Sequence, residues 1–570
     1  MPHSSVLRLD RFLRQADSGD GVLSPAAMAA LDRAEEFPAE VCRVLDDFGL
    51  PTHYVDARHG GLLHDHVELV QLLRTVARRD LTVAIAHGKT FLGTAPVQVA
   101  GSLGQAAALA AEVRAGAVAS WALTERDHGS DLLAGELTAR RAEGGWRLDG
   151  EKWLINNATR SRFLCVLART DERGGPRGFS LFLVDMDRLT AGSHRPLPKV
   201  RTHGIRGADI SGIAFDGAVV PDDALVGAVG TGAETVLKTL QLTRTVCTAL
   251  SLGALDHGLR IATQYALGRN LYGRRLSDLP RVRRILGEAA AGLIVAEAVT
   301  TVAARAIHTL TPEMSVIASV TKALVPTLAQ DTLDQLGELL GVRGFLSDTY
   351  LDGAFAKLDR DHRIVAVFDG STAVNRSLLI DHFPALARSW RRGTADPDAV
   401  TATLPGTAPR PFEPGRLRLM STRGCSLVQL LPDALDRLRD AVRQGQLPPE
   451  AARMADELDG LAEAVHTGME HQERTVRDVP QSAFDLAARY ELCFAAATLV
   501  HLWLDSARTP YDGLWLQAGL TLVLNRLGIA VDETRATSFD QLADRLLGTA
   551  DGALAPVSAF SADTTQGGHR

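Results

Sequence analysis

A single acidic residue, Asp369, interrupts an apolar run in the stretch RIVAVFDGSTAVN, residues 363–375. Aspartate before Gly-Ser is common in turns and helix caps, which is one interpretation of this position. The other interpretation is a general base in an apolar pocket, because a desolvated carboxylate is a stronger proton acceptor. This stretch alone leaves both interpretations open.

Other residues have side chains that could bind a phosphorylated or aromatic ligand. In RNLYG, Arg269 supplies a planar guanidinium suited to phosphate, and Tyr272 supplies a ring for stacking. In LTERDHGSD, a strand-like run ends in a turn that carries the hydroxyls of Thr124 and Ser130. Such donors suit the carbonyl groups of a heterocycle, and an ordinary polar turn is the alternative.

The elements that must position these residues change in character along the chain. Apolar residues at helical spacing come first, short apolar strand-like runs follow, and long helices then return. A Pro- and Gly-rich stretch separates these helices from a further helical region. The predicted organisation is an N-terminal helical domain (1–120), a β-barrel domain (121–230), a four-helix-bundle domain (231–390), a linker (391–415), an extra helical domain (416–550) and a tail (551–570).

Local signals predict several element boundaries. Ser24 followed by Pro25 is typical of a helix start. The pair Asp149-Gly150 predicts a hairpin turn. Leucine and alanine recur at spacings of three and four between residues 252 and 266, which predicts one apolar face of a bundle helix. Pro326 predicts a kink or an end in the helix that contains it.

Composition limits the class of protein. A net charge of −7 over 570 residues argues against a general nucleic-acid binder, although local basic pockets remain compatible with it. The five cysteines are scattered without a CxxC pair, so neither a disulfide framework nor a zinc site is predicted. The N-terminus lacks a signal-peptide core, and no uninterrupted apolar run reaches about 18 residues. The predicted location is the cytoplasm.

Six motifs, taken together and in this order, resemble the acyl-CoA dehydrogenase family over about residues 20–385. They are WALTERDHGSDL (121–132), LDGEKWLINNA (148–158), GIRGADISGIAFDGAVVPDDALVG (204–227), QYALGRNLYGRRLSD (264–278), LLGVRGFLSD (339–348) and KLDRDHRIVAVFDGST (357–372). The resemblance implies a mostly α-helical fold with a central β domain and bound FAD. The added C-terminal helices resemble those of long-chain members and acyl-CoA oxidases.

The resemblance also implies roles for residues beside the flavin. The position of Thr124 hydrogen-bonds the flavin, and that of Ser130 contacts the flavin site and the acyl-CoA. Leu154 and Asn156 stand where the family usually has an aromatic residue and a Ser or Thr near flavin N5. The amide of Asn156 is bulkier than a hydroxyl and points differently, so the redox behaviour of the flavin is expected to differ.

The FAD diphosphate and adenine are expected at Arg269 and Tyr272, partly in a site shared with a neighbouring subunit, and the predicted assembly is a homodimer. Glu338 replaces the glutamine that the family has in this cofactor site. A carboxylate beside a diphosphate repels it unless bridged, so the backbone at Gly341 and the hydroxyl of Ser371 are further predicted cofactor contacts.

The catalytic residues implied by the resemblance are Asp369 as base and Arg244 close to the substrate. One branch of the family carries its base immediately before this arginine, but that residue is Thr243 here. Backbone at Gly370 is expected to bind the thioester carbonyl. Gln241 is a predicted substrate contact where a common member has an aspartate that touches CoA.

The leading hypothesis is FAD-dependent α,β-dehydrogenation of an acyl thioester, with the hydride passing to flavin N5. The thioester carrier could be CoA or an acyl carrier protein, and the reoxidant could be an electron acceptor or O₂. A flavin-dependent oxidase or monooxygenase of specialised metabolism, including the decarboxylating, epoxyketone-forming type, is the first alternative. A non-catalytic acyl-binding protein is the second.

Overall fold

The computed structural model describes residues 4–17, 21–405, 407, 410–472, 478–505 and 513–549. The predicted tail, 551–570, lies outside the described residues. The chain forms two compact units. We call Arg8–Thr243 with Pro414–Leu419 the sheet unit, and Met1–Leu7, Arg244–Glu413 and Met420–Arg570 the bundle unit.

Helices occupy the first part of the sheet unit, as the sequence predicts. The cap at Ser24 is confirmed, since its Oγ accepts a hydrogen bond from the backbone N of Ala27 at 3.3 Å. The helix α5 is apolar over most of its circumference and is buried accordingly. The helices are α1 (Ser4–Asp17), α2 (Pro25–Ala34), α3 (Ala39–Phe48), α4 (His66–Ala77), α5 (Leu81–Ala100) and α6 (Leu103–Arg114).

An eight-stranded sheet follows. Its strands are β1 (Ala119–Ala122), β2 (Thr138–Ala142), β3 (Gly145–Asn156), β4 (Phe163–Arg169), β5 (Phe179–Asp185), β6 (His194–Leu197), β7 (Ile210–Val220) and β8 (Leu225–Val226). The order is β6-β7-β3-β2-β4-β5-β8, and β1 runs parallel to β4. Alternate residues of β4 enter two different apolar clusters, because successive side chains of a strand point to opposite faces.

The hairpin predicted at Asp149-Gly150 is wrong. The strand β3 runs through this pair, and its register with β7 shifts between Leu148 and Asp149, which is the signature of a β-bulge. A Cβ on Gly150 would lie 2.8 Å from Leu137 Cα, so a close approach of two backbones explains the glycine. The chain reverses earlier, at Gly144 between β2 and β3.

Long helices return after the sheet. They are α7 (Gly232–Val246), α8 (Thr248–Gly268), α9 (Pro280–Thr309), α10 (Met314–Leu340), α11 (Val342–Phe345), α12 (Ala354–His362) and α13 (Thr372–Arg392), with the short strands β9 (Asn270–Leu271) and β10 (Arg274–Arg275) between α8 and α9. The predicted apolar face of α8 is buried. The helix α10 continues through Pro326 rather than ending there.

The predicted linker contains structure that its composition did not indicate. Asp396 caps the helix α14 (Pro397–Thr403), and the buried guanidinium of Arg305 donates to the carbonyls of Thr403 and Leu404 at 2.6 and 2.7 Å. This part of the linker is therefore packed rather than free. One buried arginine satisfies the backbone carbonyls of this segment, and residue spacing does not reveal such a contact.

Six further helices among the described residues belong to the bundle unit. They are α15 (Ser426–Gln429), α16 (Leu431–Arg443), α17 (Glu450–His471), α18 (Gln481–Asp505), α19 (Leu514–Arg526) and α20 (Glu533–Leu547). The last three of them, α18 to α20, pack against α9. Arg376 on α13 also pairs with the buried Glu491 on α18 at 2.8 Å. The extra helices thus share one core with the bundle.

Within the described ranges, α9 alone is long and apolar enough to cross a membrane. Its most apolar window is 94% buried inside the protein, and the core helix of a soluble protein passes the same test. This is weak evidence for a membrane span.

Candidate active site

Asp369 lies in a loop that joins α12 to α13, residues 365–371, which we call the base loop. Its side chain is half-buried, and its backbone has a φ of 56°, a left-handed conformation that aspartate tolerates better than most residues. The helix cap at this point is Ser371, whose Oγ accepts a hydrogen bond from the backbone N of Val374. Asp369 therefore does not cap α13, although it does lie in a turn, so the helix-cap interpretation of its sequence position is wrong and the turn interpretation is confirmed.

A buried lysine anchors the base loop. The Lys322 side chain on α10 is fully buried, and its ammonium donates to the carbonyls of Val365 at 2.8 Å and Gly370 at 3.1 Å. Asn375 Nδ2 also donates to the carbonyl of Gly370, at 2.8 Å. Since these acceptors lie on both sides of Asp369, the loop is anchored before and after the carboxylate.

Arg244 contacts the base loop at the predicted base itself. Its Nε donates to the backbone carbonyl of Asp369 at 2.9 Å. Burial lowers the pKa of the Arg244 guanidinium to about 10, and the charge of Asp369 opposes that shift. A Cβ on Gly370 would lie 2.9 Å from Arg244 Nη2, and Gly370 has a φ of 95°. Glycine at this position thus allows the arginine to approach the loop.

Cys247 supplies a contact that the sequence did not reveal. Its thiol donates to Asp369 Oδ2 at 3.3 Å from the junction between α7 and α8. The thiol is buried, one helical turn beyond Arg244. A thiol is a weak donor, so this contact orients the carboxylate without neutralising it.

Thr124, the first predicted flavin contact, lies in the turn after β1. Its carbonyl accepts a hydrogen bond from the backbone N of Trp153 on β3 at 2.9 Å. The turn is fixed by a buried ion pair next to it, in which Lys152 Nζ lies 2.7 Å from Glu125 Oε1. Burial raises the pKa of the Glu125 carboxyl, but the Lys152 ammonium and two backbone N–H groups outweigh it, and the net pKa lies below the usual value.

The predicted second flavin wall is the end of β3. Leu154 has a left-handed backbone, with a φ of 54°, and its side chain is 39% exposed. Asn156 Nδ2 donates to the carbonyl of Ile85 at 3.3 Å, and among the described residues Asn156 Oδ1 and Trp121 Nε1 are buried without hydrogen-bond partners. The unmatched acceptor and the unmatched donor can each pair with a polar edge of a bound heterocycle.

The residues predicted for the diphosphate and adenine lie at the ends of α8 and α10. Arg343 on α11 lies over the ring of Tyr265 on α8, at 5.5 Å from its centroid, and so joins the two helix ends. Arg269 follows α8, and among the described residues it forms no ion pair. The predicted contacts Glu338 and Gly341 end α10, and Glu338 is exposed.

A cavity of about 780 Å³ opens in the sheet unit, within the usual range of small-molecule sites. Ser130, predicted to contact the ligand, lines it. Much of the remaining wall is apolar, including Leu133, Leu167, Leu237 and Leu419. The cavity suits a long ligand of low polarity.

The charged groups that line this cavity differ in their partners. Asp131 Oδ2 lies 2.9 Å from His128 Nδ1, and Glu234 lies 2.7 Å from Lys238 Nζ. Arg177 is exposed, and no ion pair is found for it within the described ranges. Of the charges that line the cavity, Arg177 is therefore the one available to a ligand anion.

Gln241, the remaining predicted substrate contact, is buried on α7. Its Nε2 donates to the backbone carbonyl of Arg418 at 2.8 Å. The amide is thus engaged by a segment of the chain that lies far away in sequence.

Comparisons with known proteins agree with this architecture. Family models of the acyl-CoA dehydrogenase N-terminal, middle and C-terminal domains match residues 21–117, 120–218 and 230–383. A protein of Mycobacterium tuberculosis named "Probable acyl-CoA dehydrogenase" is 29% identical over 62% of this chain and 89% of its own length. The human mitochondrial short-chain specific acyl-CoA dehydrogenase is 27% identical over 66% of this chain and 89% of its own.

Solved structures extend the likeness in fold. An acyl-CoA dehydrogenase from Bacillus anthracis, complexed with FAD, superposes with a TM-score of 0.70 at 17% identity and covers 98% of this chain and 92% of its own. The prolyl acyl carrier protein oxidase AnaB gives a TM-score of 0.60 at 20% identity, over 66% of this chain and 98% of its own. The first of these matches includes the C-terminal helices.

The chain belongs to the acyl-CoA dehydrogenase family. It is an FAD-dependent oxidoreductase of the acyl-CoA dehydrogenase type, which confirms the predicted cofactor and fold. This class disagrees with the second alternative, a non-catalytic acyl-binding protein.

Several residues of the site were not predicted. Lys322 had a usable signal, since it is the lone charge in the mostly apolar run between residues 314 and 329. Glu125 and Lys152 had none, because ion pairs between distant elements have no spacing rule. The same holds for Cys247, which contacts Asp369 across 122 residues.

Proposed function

We propose that the enzyme catalyses α,β-dehydrogenation of an acyl thioester, with Asp369 as the base that removes the α-proton. The observation that carries this proposal is the anchoring of the base loop by Arg244, Lys322 and Asn375. Proton abstraction requires a carboxylate at a fixed distance from the carbon. Three side chains that donate hydrogen bonds to one short loop hold the carboxylate in place.

In this reaction the α C–H bond breaks and its proton passes to the Asp369 carboxylate. When bound, FAD supplies the acceptor for the hydride that leaves the β-carbon. The product is an enoyl thioester. The Cys247 thiol orients the carboxylate, and the Arg244 guanidinium places one positive charge beside the loop.

We infer the substrate class from the cavity of the sheet unit. An apolar wall with one available cation fits a phosphopantetheine arm, which is long, nearly uncharged and joined to a phosphate. Arg177 is the proposed phosphate contact. One cation matches one phosphodiester charge, which favours a carrier-protein thioester over the more highly charged CoA.

The test is anaerobic flavin reduction by acyl thioesters, followed by visible absorbance. The Asp369→Asn variant is expected to reduce its flavin at least about a hundredfold more slowly, because general-base catalysis contributes roughly 10²–10⁴-fold. Asp348→Asn is the matched control, since it removes an exposed carboxylate in the same unit. Equal bleaching by Asp369→Asn and the wild type excludes the proposed base.

A second candidate function is that of an oxidase, in which O₂ reoxidises the flavin. The observation in its favour is Asn156, whose amide faces Ile85 where the family usually has a hydroxyl. The fold likeness to a carrier-protein oxidase is compatible with it. Admitting air to the reduced enzyme separates the two functions, because rapid reoxidation with peroxide indicates an oxidase and a long-lived reduced flavin indicates a dehydrogenase.

A homodimer is the proposed assembly. Tyr272, Val342 and Phe345 are large apolar side chains, and each is at least 66% exposed. They lie on the segments that follow α8 and α10, where the cofactor contacts are predicted. Phe345→Asp is expected to yield a monomer with weakened FAD retention, measured by sedimentation and by the ratio of visible to ultraviolet absorbance. A dimer that survives this change argues against this interface.

A further inference from the structure

A six-residue segment, Pro414–Leu419, belongs to the sheet unit although the chain on both sides of it belongs to the bundle unit. We call it the strap. It lies about thirty residues beyond the end of the family match at residue 383, so the family models do not account for it. Its buried anchor is Leu417, which has no exposed surface.

The strap has a defined conformation. It begins with a short 3₁₀ turn, and the Arg418 guanidinium folds back to donate to the carbonyls of Gly415 at 2.7 Å and Leu417 at 3.0 Å. Its backbone is joined to α7 by the bond from Gln241 Nε2 to the Arg418 carbonyl. A segment fixed by its own side chain and by a buried amide is pre-organised, which lowers the entropic cost of using it to bind a ligand.

The last residue of the strap forms part of the cavity wall. Leu419 lines the cavity together with Leu133 and Leu237, and all three are large apolar side chains that remain at least 38% exposed. Exposed leucines that converge on one cavity are typical of a site that a ligand covers.

We infer that the strap is a specificity-determining wall of the substrate site, and that Leu419 packs against the pantetheine arm of the thioester. This inference rests on the proposed function, because it uses the same cavity. It adds that residues from beyond the three domains matched by the family models help to decide which thioesters fit. Gln241, a predicted substrate contact, holds the strap through its amide nitrogen.

The experiment uses the purified full-length flavoenzyme titrated with butyryl-CoA and with the butyryl thioester of an acyl carrier protein, followed by the visible spectrum. Leu419→Trp is expected to raise the dissociation constant at least about tenfold for both ligands, because the larger indole occupies cavity space that the pantetheine arm needs. Leu419→Ala is expected to raise it about fivefold through lost apolar contact. A raised dissociation constant for both ligands indicates that the strap contacts the pantetheine arm that they share. A raised dissociation constant for one ligand alone shows whether the strap contacts the CoA thioester or the carrier-protein thioester.

Two further variants separate the strap from the cavity. Leu133→Trp changes a residue of the cavity wall that is not part of the strap, and Leu103→Trp changes an 82% exposed leucine on α6 that does not line the cavity. If Leu133→Trp weakens binding and Leu419→Trp binds like the Leu103→Trp control, the strap inference is wrong while the proposed cavity stands. If none of the three weakens binding although the thioester still reduces the flavin, the cavity assignment and the strap inference both fail.

Discussion

Replacing Lys322 by methionine perturbs the base loop without changing the shape of the core. The Lys322 side chain is fully buried on α10, and its ammonium is the donor to Val365 and Gly370. The ammonium also lies 5.4 Å from the centroid of the Phe368 ring. Methionine fills a similar volume but donates no hydrogen bond.

The expected cost has two parts. Hydrogen bonds from charged donors contribute about 1.5–3 kcal/mol each, but Gly370 keeps its bond from Asn375, and the variant no longer buries an ammonium. We therefore expect the free energy of unfolding to fall by about 2 kcal/mol. The rate of flavin reduction should fall more strongly, because a displacement of about 1 Å at a reacting group reduces rates about a hundredfold.

The assay pairs urea unfolding with anaerobic flavin reduction, at a temperature where every variant is folded. Lys357→Met is the control, because Lys357 pairs with Asp361 on α12 at 2.8 Å and its removal deletes one charge from the same unit without freeing the base loop. We expect both variants to be less stable and only Lys322→Met to reduce its flavin slowly. A Lys322→Met enzyme with wild-type stability and reduction rate refutes the proposed anchoring.

Three further outcomes follow from the packing. Lys152→Met is expected to lower the free energy of unfolding by about 3–5 kcal/mol in urea titrations, since it leaves the Glu125 carboxylate buried and unpaired. Burial raises the pKa of Glu313 from 4.5 to about 7, so between these pH values the native state holds a proton that the unfolded state releases. The free energy of unfolding should therefore fall by about 3 kcal/mol as the pH rises from 4.5 to 7. In thermal unfolding, Glu313→Gln should make this pH dependence weaker. Cys247→Ala removes a weak donor to Asp369 and is expected to slow anaerobic flavin reduction by less than about fivefold; a larger loss would indicate that the thiol does more than orient the carboxylate.

Local chemistry was predictable where one residue decides the conformation. Ser24 caps its helix, the apolar positions of α8 are buried, and the strands β4 and β5 form where branched and aromatic residues cluster. The pair Asp149-Gly150 misled because a bulge and a hairpin turn both use a glycine with positive φ.

Contacts between distant segments were not predictable from one sequence. The motif order placed Asp369 and Arg244 in one site, and the structure joins them through a backbone carbonyl. Nothing in the spacing could have linked Gln241 to Arg418 across 177 residues. Such contacts depend on tertiary packing, which residue periodicity does not encode.

The most direct test of the central claim is hydrogen exchange at the α-carbon. A thioester whose β-position is sulfur cannot be dehydrogenated, but its α-proton can still be removed, so incubation with the enzyme in D₂O reports proton abstraction alone. Mass spectrometry is expected to show rapid deuterium uptake with the wild type and uptake at least about a hundredfold slower with Asp369→Asn. Equal uptake by the two enzymes would show that another group removes the proton.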